Sequence, residues 1–203
     1  MKPSPICLFW DNSNIFLSAK NVAATKEPGA ERDIRIQFEN LFKVATAGRN
    51  VTRAYCVGSV PPDLGKVWQS LTKATGVRPE LYERGKNSGK EQGIDQCLQV
   101  WMLRSLVDIS PPQTAVLLTG DGSGYLESSG FHADLERLHK SGWGIEVVSW
   151  DLACAGALRR WVTNAGCYVK LEDYYESVTF VQGGRTSLKP KLTNRQISNP
   201  TAI

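Results

Sequence analysis

Short apolar runs alternate with stretches of helical periodicity along most of the chain. Apolar residues that recur at intervals of three or four predict helices at Ile34–Ala47, Pro62–Ala74, Ile94–Leu106, Phe131–His139 and Ala153–Val162. Runs rich in β-branched residues predict the strands Ile6–Trp10, Val51–Gly58, Val77–Glu83, Thr114–Thr119, Ile145–Ser149 and Cys167–Lys170. This alternation is typical of βα units. The sequence therefore predicts a three-layer α/β domain with a mostly parallel central sheet.

The periodic pattern stops near residue 180. Residues 181–203 have few large apolar side chains, which predicts a domain over residues 1–180 followed by a flexible basic C-terminal tail. The chain has 24 Lys and Arg against 20 Asp and Glu, a net charge of +4. Because the tail holds four basic residues and no acid, the domain itself is electrically balanced. A polyanion would therefore bind local patches of the domain or the tail.

The cysteines and histidines exclude several kinds of site. The five cysteines lie far apart without a C-x-x-C pair, which argues against a disulfide framework, a disulfide-linked partner and a zinc site. No stretch of about 18 apolar residues occurs, so we expect a cytosolic protein without a membrane segment. The only histidines, His132 and His139, fall on one predicted helix, which disfavours a two-histidine nuclease. The assembly is left open, with a homodimer as one alternative.

Three acids stand where predicted elements begin or end. Asp11 follows the first predicted strand, Asp121 follows the fourth, and Asp95 opens a predicted helix. If the two strands are neighbours, their carboxyl ends bring Asp11 and Asp121 together, and close carboxylates repel unless a cation lies between them. Oxygen ligands without nearby thiolate or imidazole favour Mg²⁺ or Mn²⁺. The sequence therefore predicts a divalent-metal site.

Each acid also has a structural alternative. The helix dipole favours an acid such as Asp95 in a first helical turn. Asp11 and Asp121 each suit a turn after a strand. The residues alone leave both interpretations open.

Five segments follow one another in a defined order over about residues 5–180. They are Phe9–Ile15, Lys90–Asp95, Leu118–Gly122, Gly144–Trp150 and Leu171–Tyr175. Their order and spacing resemble the motifs of NYN domains, a family in the PIN-like nuclease group. The resemblance implies a Rossmann-like (PIN-like) sheet, a divalent-metal site formed by acids at strand ends, and hydrolysis of RNA, which we expect to be single-stranded.

The resemblance also implies roles for individual residues. It gives Asp11, Asp95 and Asp121 as catalytic acids that hold Mg²⁺ or Mn²⁺. It gives Asn14 as the polar catalytic residue of the first motif. The site would thus be assembled from a strand end, a helix start and a second strand end.

Two positions depart from the family pattern. Many relatives have an acid where this chain has Ser123, and a further acid where it has Trp101. Either Glu127 completes the metal site, or the site holds one ion weakly, or catalysis has been lost. Glu127 also suits an exposed loop.

Residues around the acids are candidates for RNA contacts. The segment Arg84–Lys90 is rich in glycine and serine and carries three positive charges just before Asp95, which suits phosphate binding, with a solvated loop as the alternative. Amide and hydroxyl groups can orient water or a sugar hydroxyl, and a tyrosine can stack on a base. The predicted substrate-binding residues are Asn12, Ser123, Tyr125, Arg84, Lys86 and Lys90.

The sequence leaves two function classes in competition. The first is a metal-dependent ribonuclease, and the second is an RNA- or protein-binding module that keeps the fold without catalysis. A phosphatase-like enzyme with Asp11 as nucleophile is disfavoured, because Ser13 stands where such enzymes need a second acid.

Overall fold

The computed structural model describes residues 3–60, 65–83, 94–119 and 129–201. The strands are β1 (Ile6–Asp11), β2 (Ile34–Ile36), β3 (Val51–Val60), β4 (Pro79–Glu83), β5 (Thr114–Leu118), β6 (Gly144–Ser149), β7 (Cys167–Lys170) and β8 (Thr179–Val181). The α-helices are α1 (Asn12–Lys26), α2 (Phe38–Thr46), α3 (Gly65–Thr75), α4 (Ile94–Asp108), α5 (Gly130–Lys140), α6 (Gly156–Ala165) and α7 (Tyr175–Val178). A 3₁₀ helix, Leu171–Tyr174, leads into α7.

Six strands form one parallel sheet in the order β4-β3-β1-β5-β6-β7. They correspond to the six strands that the apolar runs predict, and the predicted α/β fold with a mostly parallel central sheet is confirmed. The chain passes from β1 to β3 on one side and later adds β5 on the other side, so the strand order reverses between β1 and β5. Loops diverge at such a switch point and leave a crevice for a ligand at the carboxyl edge.

The sheet is covered on both faces, and β1 lies in its middle. Leu8 and Trp10 belong to the core beneath α1, α2 and α3, whereas Cys7 and Phe9 belong to the core beneath α4, α5 and α6. All six residues of β1 are buried. The residue that ends this strand, Asp11, is therefore held between two packed layers.

Two elements on the α1 side differ from the prediction. The hydrophobic pattern does not predict α1, because Ser13 and Ser18 share its buried face with Ile15. The helix predicted over Ile34–Ala47 is wrong at its start. There β2 pairs antiparallel with β8, and α2 begins only after this strand.

The segment after β8 lies against the domain. It forms no helix or strand over residues 182–201, as its lack of periodicity predicts. However, the backbone N–H of Thr201 donates to the carbonyl of Gly142, and the hydroxyl of Ser198 accepts from the N–H of Ile145. The prediction of a flexible tail therefore needs correction over these residues.

A buried ionic cluster holds this segment in place. The carboxylate of Glu146 in β6 is fully buried and accepts two hydrogen bonds of 2.7 Å from Arg49 and one of 2.5 Å from Arg195. The backbone N–H of Ser198 donates to the same carboxylate at 2.7 Å. Since these charge-assisted bonds satisfy both carboxylate oxygens, Glu146 fastens the C-terminal segment to the sheet.

Ion pairs with the domain neutralise part of the positive charge of this C-terminal segment. Arg195 is paired with Glu146, and Arg185 is paired with Glu27 at 3.0 Å. Lys189 and Lys191 remain as its exposed cations. The basic charge available to a polyanion in this segment is therefore about half of what the sequence suggests.

The cysteines contribute to packing. All five are free thiols, and four of them are buried.

Of the helices that the structure describes, none has the length and apolar composition needed to span a bilayer.

Candidate functional site

Polar side chains lie at the carboxyl ends of the four central strands. Asp11 ends β1, Ser59 is the next-to-last residue of β3, Thr119 directly follows β5, and Ser149 ends β6. All four are buried, with exposed fractions of 4% or less. Buried polar groups are concentrated here at the edge where the strand order reverses, so this edge is the candidate functional site.

Asp11 connects the end of β1 to the start of α1. Its Oδ1 accepts a hydrogen bond of 2.9 Å from the backbone N–H of Asn14, which makes Asp11 the N-cap of the helix. The side-chain oxygen of Asn14 in turn accepts a hydrogen bond of 3.4 Å from the hydroxyl of Ser18. The carboxylate of Asp11 is therefore held in a defined orientation by the helix that follows it.

Two buried oxygens near Asp11 have no hydrogen-bond partner among the described residues. One is the side-chain oxygen of Asn12, a residue that is 5% exposed, and the other is the hydroxyl of Thr119. Trp10 pairs with Leu118 in the sheet, so Asp11 and Thr119 are the next positions on neighbouring strands. Since an unpartnered buried polar atom is costly, these oxygens suit a site whose ligand supplies the missing contacts.

The donor groups at this edge suit a hard divalent cation. Burial raises the pKa of the Cys56 thiol well above its usual value, and the nearby charge of Asp11 raises it further. This thiol therefore stays protonated and is a poor metal ligand. The groups that remain are carboxylate, amide and hydroxyl oxygens, the donors that Mg²⁺ and Mn²⁺ prefer.

Asp95 reaches the same edge from α4. It is exposed in the first turn of the helix, one turn before Leu98 and two before Met102. Those two residues are fully buried in the core that also contains Phe9, and Asp11 follows Phe9 on the same face of β1. Asp95 therefore lies in the first turn of the helix that packs on the Phe9 face of β1, the face on which Asp11 ends the strand.

Trp101 packs at a position where the resemblance would place an acid. Its ring stacks on Tyr55 with a centroid distance of 4.6 Å, and Tyr55 stacks on Phe9 at 5.6 Å. The guanidinium of Arg104 lies 4.9 Å from the Trp101 ring centroid. This aromatic row fastens α4 to β3 and β1, so the Trp101 position serves packing and supplies no metal ligand.

The remaining predicted site residues lie outside the described ranges. They are Asp121, Ser123, Tyr125, Arg84, Lys86 and Lys90, together with Glu127. The pairing of β1 with β5, on which the prediction for Asp121 depends, is confirmed. Within the described part of the chain, no three Asp, Glu, His or Cys residues form a cluster suited to a metal ion. The three-acid site thus stays a prediction.

Sequence reasoning missed the serine and threonine residues of this edge. Ser13 accepts a hydrogen bond of 3.0 Å from the backbone N–H of Ser59, and their hydroxyls are 3.3 Å apart. The sequence pattern predicts Thr119 and Ser149 only as strand residues. The available signal was their position, since each is a polar residue at the end of an apolar run.

Trp150 holds the first turn of α1 from the side opposite Ser13. Its fully buried indole N–H donates a hydrogen bond of 2.9 Å to the carbonyl of Ile15. Ser13 connects the same turn to β3, and Trp150 follows β6. The turn that carries Asn12 and Asn14 is therefore fixed from both sides.

We expect Trp150→Phe to lower the free energy of unfolding by about 1 kcal/mol more than Trp10→Phe does. Trp10 is the matched control, because it is equally buried but its indole N–H has no hydrogen-bond partner among the described residues. Urea unfolding of both variants measures the difference. Equal losses would contradict the role given to the hydrogen bond from Trp150 to Ile15.

The two histidines lie on α5 and pack against α6. The His132 ring centroid is 5.0 Å from that of Trp161, and the His139 ring lies edge-on to the same indole at 6.0 Å. Burial lowers the pKa of His132, so its imidazole is neutral near pH 7. The histidines thus contribute to the packing of α5 against α6.

The fold defines a class, that of Rossmann-like α/β domains with a parallel central sheet. A sequence profile of the NYN domain family matches residues 5–164, which is well over half of the chain. The chain therefore belongs to the NYN domain family, as its motifs indicate, and has the PIN-like nuclease fold of that family.

A solved structure has the same fold. A crystal structure of a protein of unknown function from Vibrio parahaemolyticus superimposes with a TM-score of 0.60 over 84% of this chain and 94% of its own, at 14% sequence identity. At this identity the likeness concerns the fold. No curated protein matches the chain in sequence.

Proposed function

We propose that the protein is a metal-dependent ribonuclease that hydrolyses phosphodiester bonds of single-stranded RNA. One observation carries the proposal. A buried carboxylate, Asp11, lies at the switch point of a nuclease-family sheet, beside the oxygens of Asn12 and Thr119 that have no partner among the described residues. Such an edge suits a metal ion and a phosphate.

In this proposal Asp11, Asp95 and Asp121 hold Mg²⁺ or Mn²⁺. When bound, an ion of this kind activates water and neutralises the charge that develops on the phosphate. Asp11 supplies a ligand whose orientation is fixed by its bond to Asn14. Asp95 joins from α4, and Asp121 follows the strand that pairs with β1.

The other predicted residues bind and orient the RNA. The amides of Asn12 and Asn14 and the hydroxyl of Ser123 position water or a sugar hydroxyl by hydrogen bonding. Tyr125 stacks on a base, and phosphates beside the cleaved bond contact the basic segment. That segment contributes Arg84, Lys86 and Lys90. Hydrolysis leaves a 5′-phosphate and a 3′-hydroxyl.

We further propose that the enzyme works in the cytosol. Its five cysteines are free thiols, which is typical of proteins kept in a reducing compartment. RNA substrates are present there.

A second candidate function is a binding module that has lost catalysis. Trp101 favours it, because this residue packs on Tyr55 at a position where many NYN domains have an acid. The chain also has Ser123 at the place of another acid. Such a module would bind RNA or a protein without cutting RNA.

An RNA cleavage assay separates the two candidates. We expect labelled single-stranded RNA to be degraded by the purified protein in Mn²⁺ or Mg²⁺ and to stay intact in EDTA, because without the ion nothing at this edge neutralises the charge that develops on the phosphate. Degradation that continues unchanged in EDTA would refute the metal mechanism. RNA that is bound but not cut with either metal would instead support the binding module.

A further inference from the structure

A groove of about 600 Å³ runs between α3 and β4, the edge strand of the sheet. Trp68 of α3 and Leu81 of β4 contribute to its apolar floor, and Leu81 is 41% exposed. Val60, the last residue of β3, lines one end, and Arg78, which precedes β4, lines the other. The groove follows α3, whose 11 residues extend over about 16 Å.

The charges that line the groove are positive. Lys73 and Arg78 are both exposed, and neither forms an ion pair with a described residue. Among the described residues that line the groove, none is acidic. Glu80 of β4 faces α4 instead, where its carboxylate accepts a hydrogen bond of 3.2 Å from the Cys97 thiol. Cations beside an apolar floor suit single-stranded nucleic acid, which combines phosphates with flat bases.

The groove is a fixed feature of the fold. Trp68 packs directly on Gly58 of β3, where the Cβ of any other residue would come within 2.0 Å of the far end of the indole. Glycine at this position therefore allows α3 to lie close to the sheet. The floor of the groove is consequently set by packing and does not need a ligand to form it.

The groove also begins near the candidate metal site. Asp11 pairs with Val57 in the sheet, and β3 continues from Val57 to Val60 at the groove's end. Three residues of a strand cover about 10 Å. A strand of RNA whose phosphate lies at Asp11 could therefore continue over the end of β3 into the groove.

We propose that the groove between α3 and β4 binds the RNA strand on one side of the cleaved bond, with Lys73 and Arg78 contacting its phosphates. The proposal rests on the RNA-cleaving function proposed above and adds the path of the substrate. It predicts that the groove contributes to RNA affinity and to its salt dependence.

The test compares two double variants with the same change in charge. Lys73→Ser with Arg78→Ser removes the groove cations, and Arg32→Ser with Lys140→Ser removes two exposed cations elsewhere. Binding of labelled single-stranded RNA is measured by fluorescence anisotropy in EDTA, from about 50 to 200 mM salt. We expect the slope of log affinity against log salt to be less steep in the groove variant than in the wild type, by about 1.4. This is about 0.7 for each of the two phosphates that the variant no longer neutralises.

The outcomes separate this proposal from the one on which it rests. A wild-type protein that neither binds nor cuts RNA would refute both. If the wild type binds and cuts RNA but the groove variant has an unchanged slope, or one no different from that of the control variant, the groove is not the RNA path and the nuclease function stands.

Discussion

Replacing Asp11 with asparagine should reduce RNA cleavage by about 100-fold to 1,000-fold and leave the protein folded. A divalent ion held by this carboxylate stabilises the charge that develops in the transition state by several kcal/mol. Each 1.36 kcal/mol of transition-state stabilisation corresponds to a tenfold change in rate. Asparagine caps helices about as well as aspartate, so its side-chain oxygen can still accept the hydrogen bond from the N–H of Asn14. This substitution therefore separates the metal-binding role of Asp11 from its role as N-cap.

Two comparisons make the result decisive. Asp33→Asn makes the same chemical change at an exposed turn and should leave cleavage unchanged. Asp11→Ala also removes the cap, so it should lower the free energy of unfolding by about 1 kcal/mol in addition to abolishing cleavage. If Asp11→Asn cleaves RNA at the rate of the wild type, Asp11 acts only as a helix cap.

Replacing Glu146 with glutamine should cost about 3–5 kcal/mol of the free energy of unfolding. The reason is that Arg49 and Arg195 would keep their positive charges, at side-chain exposures of 1%, without a counter-ion. Because small domains have a total stability of about 5–15 kcal/mol, a large fraction of it depends on this single carboxylate. Chemical unfolding with urea measures the loss.

An exposed ion pair provides the control for Glu146. Glu39→Gln removes a carboxylate that is 56% exposed and bonded to Lys43, and this change should lower the free energy of unfolding far less than Glu146→Gln does, because solvent screens the pair. Arg195→Met provides a second test if Glu146→Gln does not fold. It keeps the bond from Arg49 to Glu146 and should make the chain from residue 195 to 201 more accessible to proteolysis. A C-terminal segment that stays protected in Arg195→Met would contradict the anchoring role.

The sequence predicts the fold well where structure follows from local periodicity. All six strands of the parallel sheet are visible as apolar runs, because strands covered on both faces need apolar side chains on both. The pairing of β2 with β8 is not visible, because it depends on Ile34–Ile36 meeting residues 179–181 far along the chain. The contact of Arg195 with Glu146 is hidden for the same reason.

The candidate site is predictable to a smaller extent. The position of Asp11 at a strand end indicates chemistry before any contact is known, since carboxyl ends of parallel strands meet at one edge. Its role as the N-cap of α1 cannot be predicted from the sequence, because polar residues on the buried face of α1 leave this helix without an apolar periodicity. The packing role of Trp101 likewise depends on Tyr55 and Phe9, two residues on different strands.

The most direct test of the proposed function is the rate at which the purified protein cleaves end-labelled single-stranded RNA as Mn²⁺ is supplied, removed with EDTA and supplied again. We predict cleavage in Mn²⁺, none in EDTA and recovery when Mn²⁺ is restored in excess, with Asp11→Asn slower by about 100-fold or more wherever Mn²⁺ is present. Cleavage at one rate in all three conditions, or equal rates for wild type and Asp11→Asn, would contradict a metal-dependent nuclease site at the carboxyl edge of the sheet.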